Sequence, residues 1–323
     1  MHVLAVDIGG TQYRMALVDE EGNILDHCRQ ATDREQGASW LLPRIAEEAR
    51  RIASQHGEKP AALGIGFGGP VDFGQQSVIR SMHAPGWEHF HLSQWLGNQI
   101  GVRAVMDNDG NVGAWGEYRF GAGAGASEMV YYTVSTGVGG GFVTGDRLYR
   151  GWRQRAGELG HVPIAMDGPT CSCGQRGCLE AFVSGPAIAA AAEFQLERSD
   201  ADSGLTTVLE RRGRLTAEDV FSAAQSGDRL AGHVVDEARE AFRRSVWGVV
   251  SVLDPEIVVV GGGVGLAPGF LQGTEQWVNE HAVVSEEEPV RVVPAALGDH
   301  SVLLGAAALA WEIVEQGSMG GPR

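Results

Sequence analysis

A chain of 323 residues, 43% hydrophobic and 20% charged, is long enough for about two domains of roughly 150 residues each and too apolar to remain disordered. No apolar run approaches the roughly 20 residues of a membrane span. The 25 basic and 41 acidic residues give a formal net charge of −16, which sets the surface against nucleic acid and anionic lipid, so no nucleic-acid or membrane partner is expected.

Short β-type runs alternate with helical patterns along the whole chain, as in an α/β protein with parallel or mixed sheets. Val3 to Val6 reads as a buried strand, Asp7-Ile8-Gly9-Gly10-Thr11 as a tight turn and Tyr13 to Val18 as the returning strand. The start lacks the basic segment and apolar run of a signal peptide, which predicts a cytoplasmic protein with reduced cysteines. Leu41, Ile45, Ala49 and Ile52 mark a helix, Leu63 to Phe67 a strand, and Leu92, Trp95, Leu96 and Ile100 a second helix. Val102 to Met106 reads as a strand that delivers Asp107-Asn108-Asp109 to its end, an address where α/β proteins place chemistry. A second strand, glycine turn and strand follow at Val130 to Val134, Ser135-Thr136-Gly137-Val138-Gly139-Gly140-Gly141, and Phe142 to Thr144. A long helix through Leu230, Val234, Ala238, Phe242, Val246 and Leu253 runs into the strand Ile257 to Val260 and then Gly261-Gly262-Gly263-Val264-Gly265.

Three glycine turns suggest anion binding, because glycine lets backbone amides converge on a phosphate without Cβ clashes. Lys59 is the only lysine and no Gly-Lys pair exists, which excludes a Walker A loop. The dinucleotide pattern also fails, since Leu266 or Pro268 stands where its third glycine belongs. The remaining pattern fits a nucleoside triphosphate held between two hairpins. Asp7 would hold magnesium through water, and Gly261-Gly262-Gly263-Val264 would face the adenosine.

His161, Cys171, Cys173 and Cys178 form a complete tetrahedral donor set for one zinc ion. A closed four-ligand site has no open position, so its expected role is structural. Glu158 and Glu180 flank the same cluster, and this group of polar side chains suits a polyhydroxylated ligand. Phosphoryl transfer to an alcohol needs one carboxylate to accept the hydroxyl proton, and Asp109 is the candidate. Asp107, Asn108 and Asp109 would serve equally as turn and helix-cap residues, and the local sequence does not choose between the two.

Taken in order, the motifs Asp7 to Thr11, Gly68-Gly69-Pro70-Val71-Asp72, Asn108-Asp109-Gly110-Asn111, Ser135 to Gly141, Glu158 to His161, Cys171 to Glu180 and Gly261 to Val264 resemble the ROK family, in particular its bacterial glucokinases. The likeness spans almost the whole chain, and its most specific element is the cysteine cluster ending in Cys178-Leu179-Glu180. It implies a two-lobed sugar kinase/actin-like (ribonuclease H-like) fold with mixed sheets flanked by helices. Residues 1–115 with 301–323 would form the small lobe, and 116–300 the large one. It also implies ATP-dependent phosphorylation of glucose at the 6-hydroxyl, magnesium with the nucleotide, a structural zinc, and a homodimer or dimer of dimers.

By matching positions, the resemblance makes Asp109 the catalytic base and Gly69, Asn108, Asp109, Glu158, His161 and Glu180 the sugar site. It assigns the phosphates to Asp7, Gly9, Gly10, Thr11 and Gln12 with Ser135, Thr136, Gly137, Val138, Gly139 and Gly140, and the adenosine to Gly261, Gly262, Gly263 and Val264. Two positions depart from the family pattern. Gln12 replaces a lysine common after Gly-Gly-Thr, and Gly110 replaces an alanine, which predicts a looser helix start. A transcriptional repressor of the same family would need a DNA-reading module, for which the strand at Val3 leaves no room. The alternatives are a kinase for N-acetylmannosamine, fructose or allose, or a non-catalytic sugar sensor.

Overall fold

The computed structural model describes residues 1–81, 84–198, 202–281 and 288–319. The tip of the expected small lobe, 320–323, lies outside them.

β1 (Val3–Ile8) is buried at every residue and pairs antiparallel with β2 (Gln12–Val18), which pairs in the same way with β3 (Ile24–Ala31). After α1 (Gly37–Gln55) the chain enters β4 (Leu63–Phe67), parallel to β1. A two-stranded hairpin, β5 (Val71–Asp72) and β6 (Ser77–Val78), and α2 (Leu92–Ile100) lead to β7 (Ala104–Asn108). β7 completes a sheet of order β3-β2-β1-β4-β7. It begins two residues later than the sequence suggested. Gly101 closes α2 in the left-handed conformation (φ 75°), and Val102 still donates to the carbonyl of Gly97, so both belong to the helix end.

α3 (Asp109–Phe120) leads to the second sheet, which begins with the antiparallel pair β8 (Glu128–Val134) and β9 (Val138–Thr144) and the short β10 (Arg147–Leu148). Strand β9 starts earlier than expected because Gly139, Gly140 and Gly141 pair in register with Thr133, Tyr132 and Tyr131. Glycines in a ladder leave room for close neighbours, here the Leu159 side chain at Gly140 and the Ala114 methyl at Gly141. After α4 (Glu180–Val183), α5 (Gly185–Arg198), α6 (Gly204–Arg212), α7 (Ala217–Gln225) and α8 (Arg229–Leu253), strand β11 (Ile257–Gly261) joins β8 in parallel. α9 (Thr274–His281) and β12 (Arg291–Pro294) complete the order β10-β9-β8-β11-β12, and α10 (Ser301–Met319) closes the described chain.

Three apolar clusters show how the layers stack. Leu4, Val6 and Ile8 pack with Leu41 and Ile45 of α1 and Leu96 of α2 on one face of the first sheet. On its other face, Val3 and Ala5 join Val112 and Trp115 of α3, Leu303 and Ala307 of α10, and Tyr131 and Val259 of the second sheet. The far face of the second sheet, through Val130, Tyr132 and Val258, is covered by α5, α7 and α8. Helices α3 and α10 therefore lie between the two sheets, and the expected lobe boundary after Trp115 falls inside α3. Among the described residues no helix is long and apolar enough to cross a membrane.

Candidate active site

At the β1–β2 turn the Gly9 amide donates to the Gln12 carbonyl at 3.0 Å, while the Gly10 carbonyl accepts from Thr32 Oγ1 at 3.0 Å and Arg34 Nε at 2.6 Å. Asp7 and Arg14 face each other in the hairpin register, and Arg14 Nε donates to Asp7 Oδ2 at 2.9 Å. Asp7 is thus an ion-paired acid inside the first sheet. Burial raises its carboxyl above the ordinary value, against the pull of Arg14. The Gln12 side chain is turned away to Arg29, whose Nε donates to it at 2.6 Å.

The second hairpin has its turn at Ser135, Thr136 and Gly137, closed by the Ser135 amide on the Gly137 carbonyl at 2.9 Å. Val138, Gly139 and Gly140 lie in the strand itself, with Val138 and Gly140 buried. Gly262 (φ 83°) bends the chain after β11 so that the Val264 amide donates to the Val134 carbonyl at 2.9 Å. This seats 261–264 beside the second hairpin.

Asp109 opens α3 directly after β7. Asn108 caps the helix by accepting from the Gly110 amide at 2.9 Å, and its Nδ2 donates to the Gly69 carbonyl at 3.0 Å. Asp109 Oδ1 accepts from the same Gly110 amide at 2.9 Å, so both side chains serve the helix start. The half-buried Asp109 carboxyl is pushed up to about 7 by burial and by the nearby Asp7 and Glu158 carboxylates, against the Gly110 amide. A carboxyl titrating near neutral pH is matched to general-base work.

The donor atoms of His161, Cys171, Cys173 and Cys178 all lie within 4.8 Å of one another. Three thiols and one imidazole gathered this closely fit a tetrahedral zinc ion. Cys171 Sγ stands 3.6 Å from His161 Nδ1, so the other ring nitrogen remains for the cleft that His161 lines. Glu180, at the start of α4, accepts from the Val138 amide at 3.0 Å and from Ser172 Oγ at 2.8 Å, joining the cysteine loop to the second hairpin. Glu158 is exposed just before the short 3-10 turn Leu159–His161.

A cleft of about 1500 Å³ runs past Gly10 and Thr11 of the first hairpin, Thr136 and Gly137 of the second, His161, Cys171, Cys173 and Glu180, and on to Phe194 and Ala238. Gly69, after β4, meets Asn108 and Asp109, after β7, through the bond from Asn108 Nδ2 to the Gly69 carbonyl; these three, Glu158 and 261–264 are not among the residues that line the cleft. Arg34 and Arg80 also line the cleft, and sequence reasoning passed over both. Their signal was available in composition: with a single lysine in the chain, cations near a phosphate must be arginines. Arg14 was legible too, as the residue that a β1–β2 hairpin places opposite Asp7.

Residues 3–313 match the ROK family. A glucokinase of Thermotoga maritima is 34% identical over 312 residues, covering 96% of this chain and 97% of that protein. An N-acetylmannosamine kinase of Escherichia coli O157:H7 is 32% identical over 310 residues, covering 96% and 98%. Among solved structures, the ROK hexokinase from Thermus thermophilus superposes with a TM-score of 0.83 at 32% identity, over 98% of this chain and 100% of that one. A ROK family glucokinase from Streptomyces griseus in complex with glucose and AMPPNP gives 0.81 at 32% identity, over 97% and 100%.

Proposed function

The chain belongs to the ROK family, and from that premise we propose that it is an ATP-dependent glucokinase that phosphorylates the sugar 6-hydroxyl. The observation that carries this reading is Asp109, a carboxyl pushed up to about 7 beside Asn108, whose Nδ2 in turn holds the Gly69 carbonyl of the neighbouring turn. Asp109 takes the proton of the sugar hydroxyl as the hydroxyl oxygen bonds to the terminal phosphorus of ATP, whose bond to the bridging oxygen breaks to release ADP. Asn108, Gly69, Glu158, His161 and Glu180 hold the sugar hydroxyls, with His161 using the nitrogen that does not face the thiols.

The Gly9 to Gln12 turn and the Ser135 to Gly140 hairpin receive the phosphates through backbone amides, and 261–264 receives the adenosine. Arg34 and Arg80 supply the positive charge that a lysine at position 12 would give. Magnesium bound with the nucleotide would neutralise phosphate charge, and the Asp7 and Asp109 carboxylates, which repel each other, are suited to a dication near them. His161, Cys171, Cys173 and Cys178 would hold a zinc ion, which would fix the loop between Glu158 and Glu180. The two lobes close on the sugar and exclude water, and the protein works in the cytoplasm as a dimer or dimer of dimers.

The deciding experiment is steady-state ATP turnover with glucose, N-acetylmannosamine, fructose and allose. Glucose should give the highest kcat/KM. A higher value for N-acetylmannosamine would move the assignment to the substrate of the related N-acetylmannosamine kinase, and no turnover with any hexose would leave a sugar sensor.

A further inference from the structure

Arg150 follows β10 of the second sheet, yet its Nε donates to Asp107 Oδ2 at 2.7 Å in the last strand of the first sheet. The pair is largely removed from water, with the Arg150 side chain 19% exposed and the Asp107 side chain 3%. The guanidinium also stacks 3.8 Å from the centre of the Phe73 ring, on the β5–β6 connection.

Each end of this contact is tied to a part of the proposed site. Asp107 Oδ1 accepts from the Asn108 amide at 2.8 Å and from Asn111 Nδ2 at 3.1 Å, so the carboxylate organises the turn that carries Asp109. The Arg150 carbonyl accepts from the Ala156 amide at 3.0 Å, closing a loop that leads within two residues to Glu158. A second tie in that loop, the Gly74 amide on Gln154 Oε1 at 2.8 Å, fastens it to the same β5–β6 connection that carries Phe73.

We propose that Arg150 is a positioning residue for phosphoryl transfer: through Asp107 it holds the turn of Asp109 in register with the loop of Glu158. This rests on the kinase reading above. The base must meet a hydroxyl held partly from the other side of the cleft, and an error of about 1 Å in such an alignment costs on the order of 100-fold in rate. A planar, always-charged guanidinium suits the task, because it can bond the carboxylate edge-on while its face lies on Phe73.

The test compares the wild type with Arg150→Met and with the double variant Asp107→Asn/Arg150→Met. The double variant keeps an oxygen at position 107 for the Asn108 and Asn111 donors and leaves no buried unpaired charge, so its folding is protected. It should regain most of the melting temperature lost by the single variant. It should still show a lower kcat and a higher glucose KM, about 10-fold to 100-fold in kcat/KM, with the ATP KM nearly unchanged. A double variant with wild-type kcat and glucose KM overturns the assignment, as does a loss shared equally by both substrates. Wild-type protein that turns over no hexose overturns the kinase reading itself, and the assignment with it.

Discussion

The carbonyl of Gly140 lies 2.5 Å from the point where a β-carbon on Gly110 would stand. The first turn of α3 therefore presses its backbone against strand β9, and Gly110 is buried there. The sequence suggested that glycine would loosen this helix start, but the vacant Cβ position is filled by another backbone.

That contact makes a sharp prediction, because alanine is the residue the family pattern favours at this position. Gly110→Ala should lower stability by about 1–3 kcal/mol, the usual range for overpacking a tight site, and should reduce kcat by shifting Asp109. Urea unfolding of the variant beside the wild type checks it. An unchanged midpoint would mean that β9 moves aside at no cost.

Asp109→Asn keeps the shape of the turn and cannot accept a proton. It should bind glucose and lose about 100-fold to 10,000-fold in kcat. In the wild type, kcat/KM should rise with pH through about 7, since the carboxylate form is the active one. The stability effect has the opposite sign. The folded protein retains a proton on Asp109 that the unfolded chain releases above its ordinary value of 3.8, so stability falls as pH rises from there to about 7. The asparagine variant should lack that component, which pH-dependent calorimetric unfolding would reveal.

The zinc reading separates binding of the two substrates. Cys173→Ala should lower the metal content and raise the glucose KM sharply, with ATP binding less affected, because the cluster anchors the loop between Glu158 and Glu180. Metal analysis with calorimetric titration of glucose and of an ATP analogue measures all three quantities. Full activity in a zinc-free wild type would exclude the structural role.

Glu117 is fully buried in α3, with one oxygen accepting from the Ala122 and Ala296 amides at 2.9 and 3.0 Å and the other from the Leu297 amide at 3.0 Å and Ser301 Oγ at 2.7 Å. It thereby fastens α3 to the start of α10. Glu117→Gln turns one acceptor into a donor, and each buried donor left unpaired costs about 1–3 kcal/mol. Thermal unfolding should show a large drop in the melting temperature, while the variant folded at low temperature keeps its glucose KM. A melting temperature within a degree or so of wild type would show that the buried network rearranges freely.

Elements whose signals are local were readable from the residues without any tertiary partner. Leu63 to Phe67 is a strand with the expected bounds, the helix of Leu92 to Ile100 is where its apolar spacing puts it, and Asp109 follows a strand and opens a helix. The gathering of His161, Cys171, Cys173 and Cys178 was also legible, because their residue types are scarce and three of them lie within eight positions. Apolar periodicity, glycine turns and ligand spacing act over a few residues, so they can be read without knowing what packs against them. Tertiary structure alone decided the partners. Arg150 reaches Asp107 across 43 positions and Glu117 reaches Ser301 across 184. The vacant Cβ position of Gly110 is likewise filled from a strand that follows α3 in the chain. Such pairs depend on how the two sheets stack around α3 and α10, and burial then makes each polar group take whatever partner that stacking brings within reach.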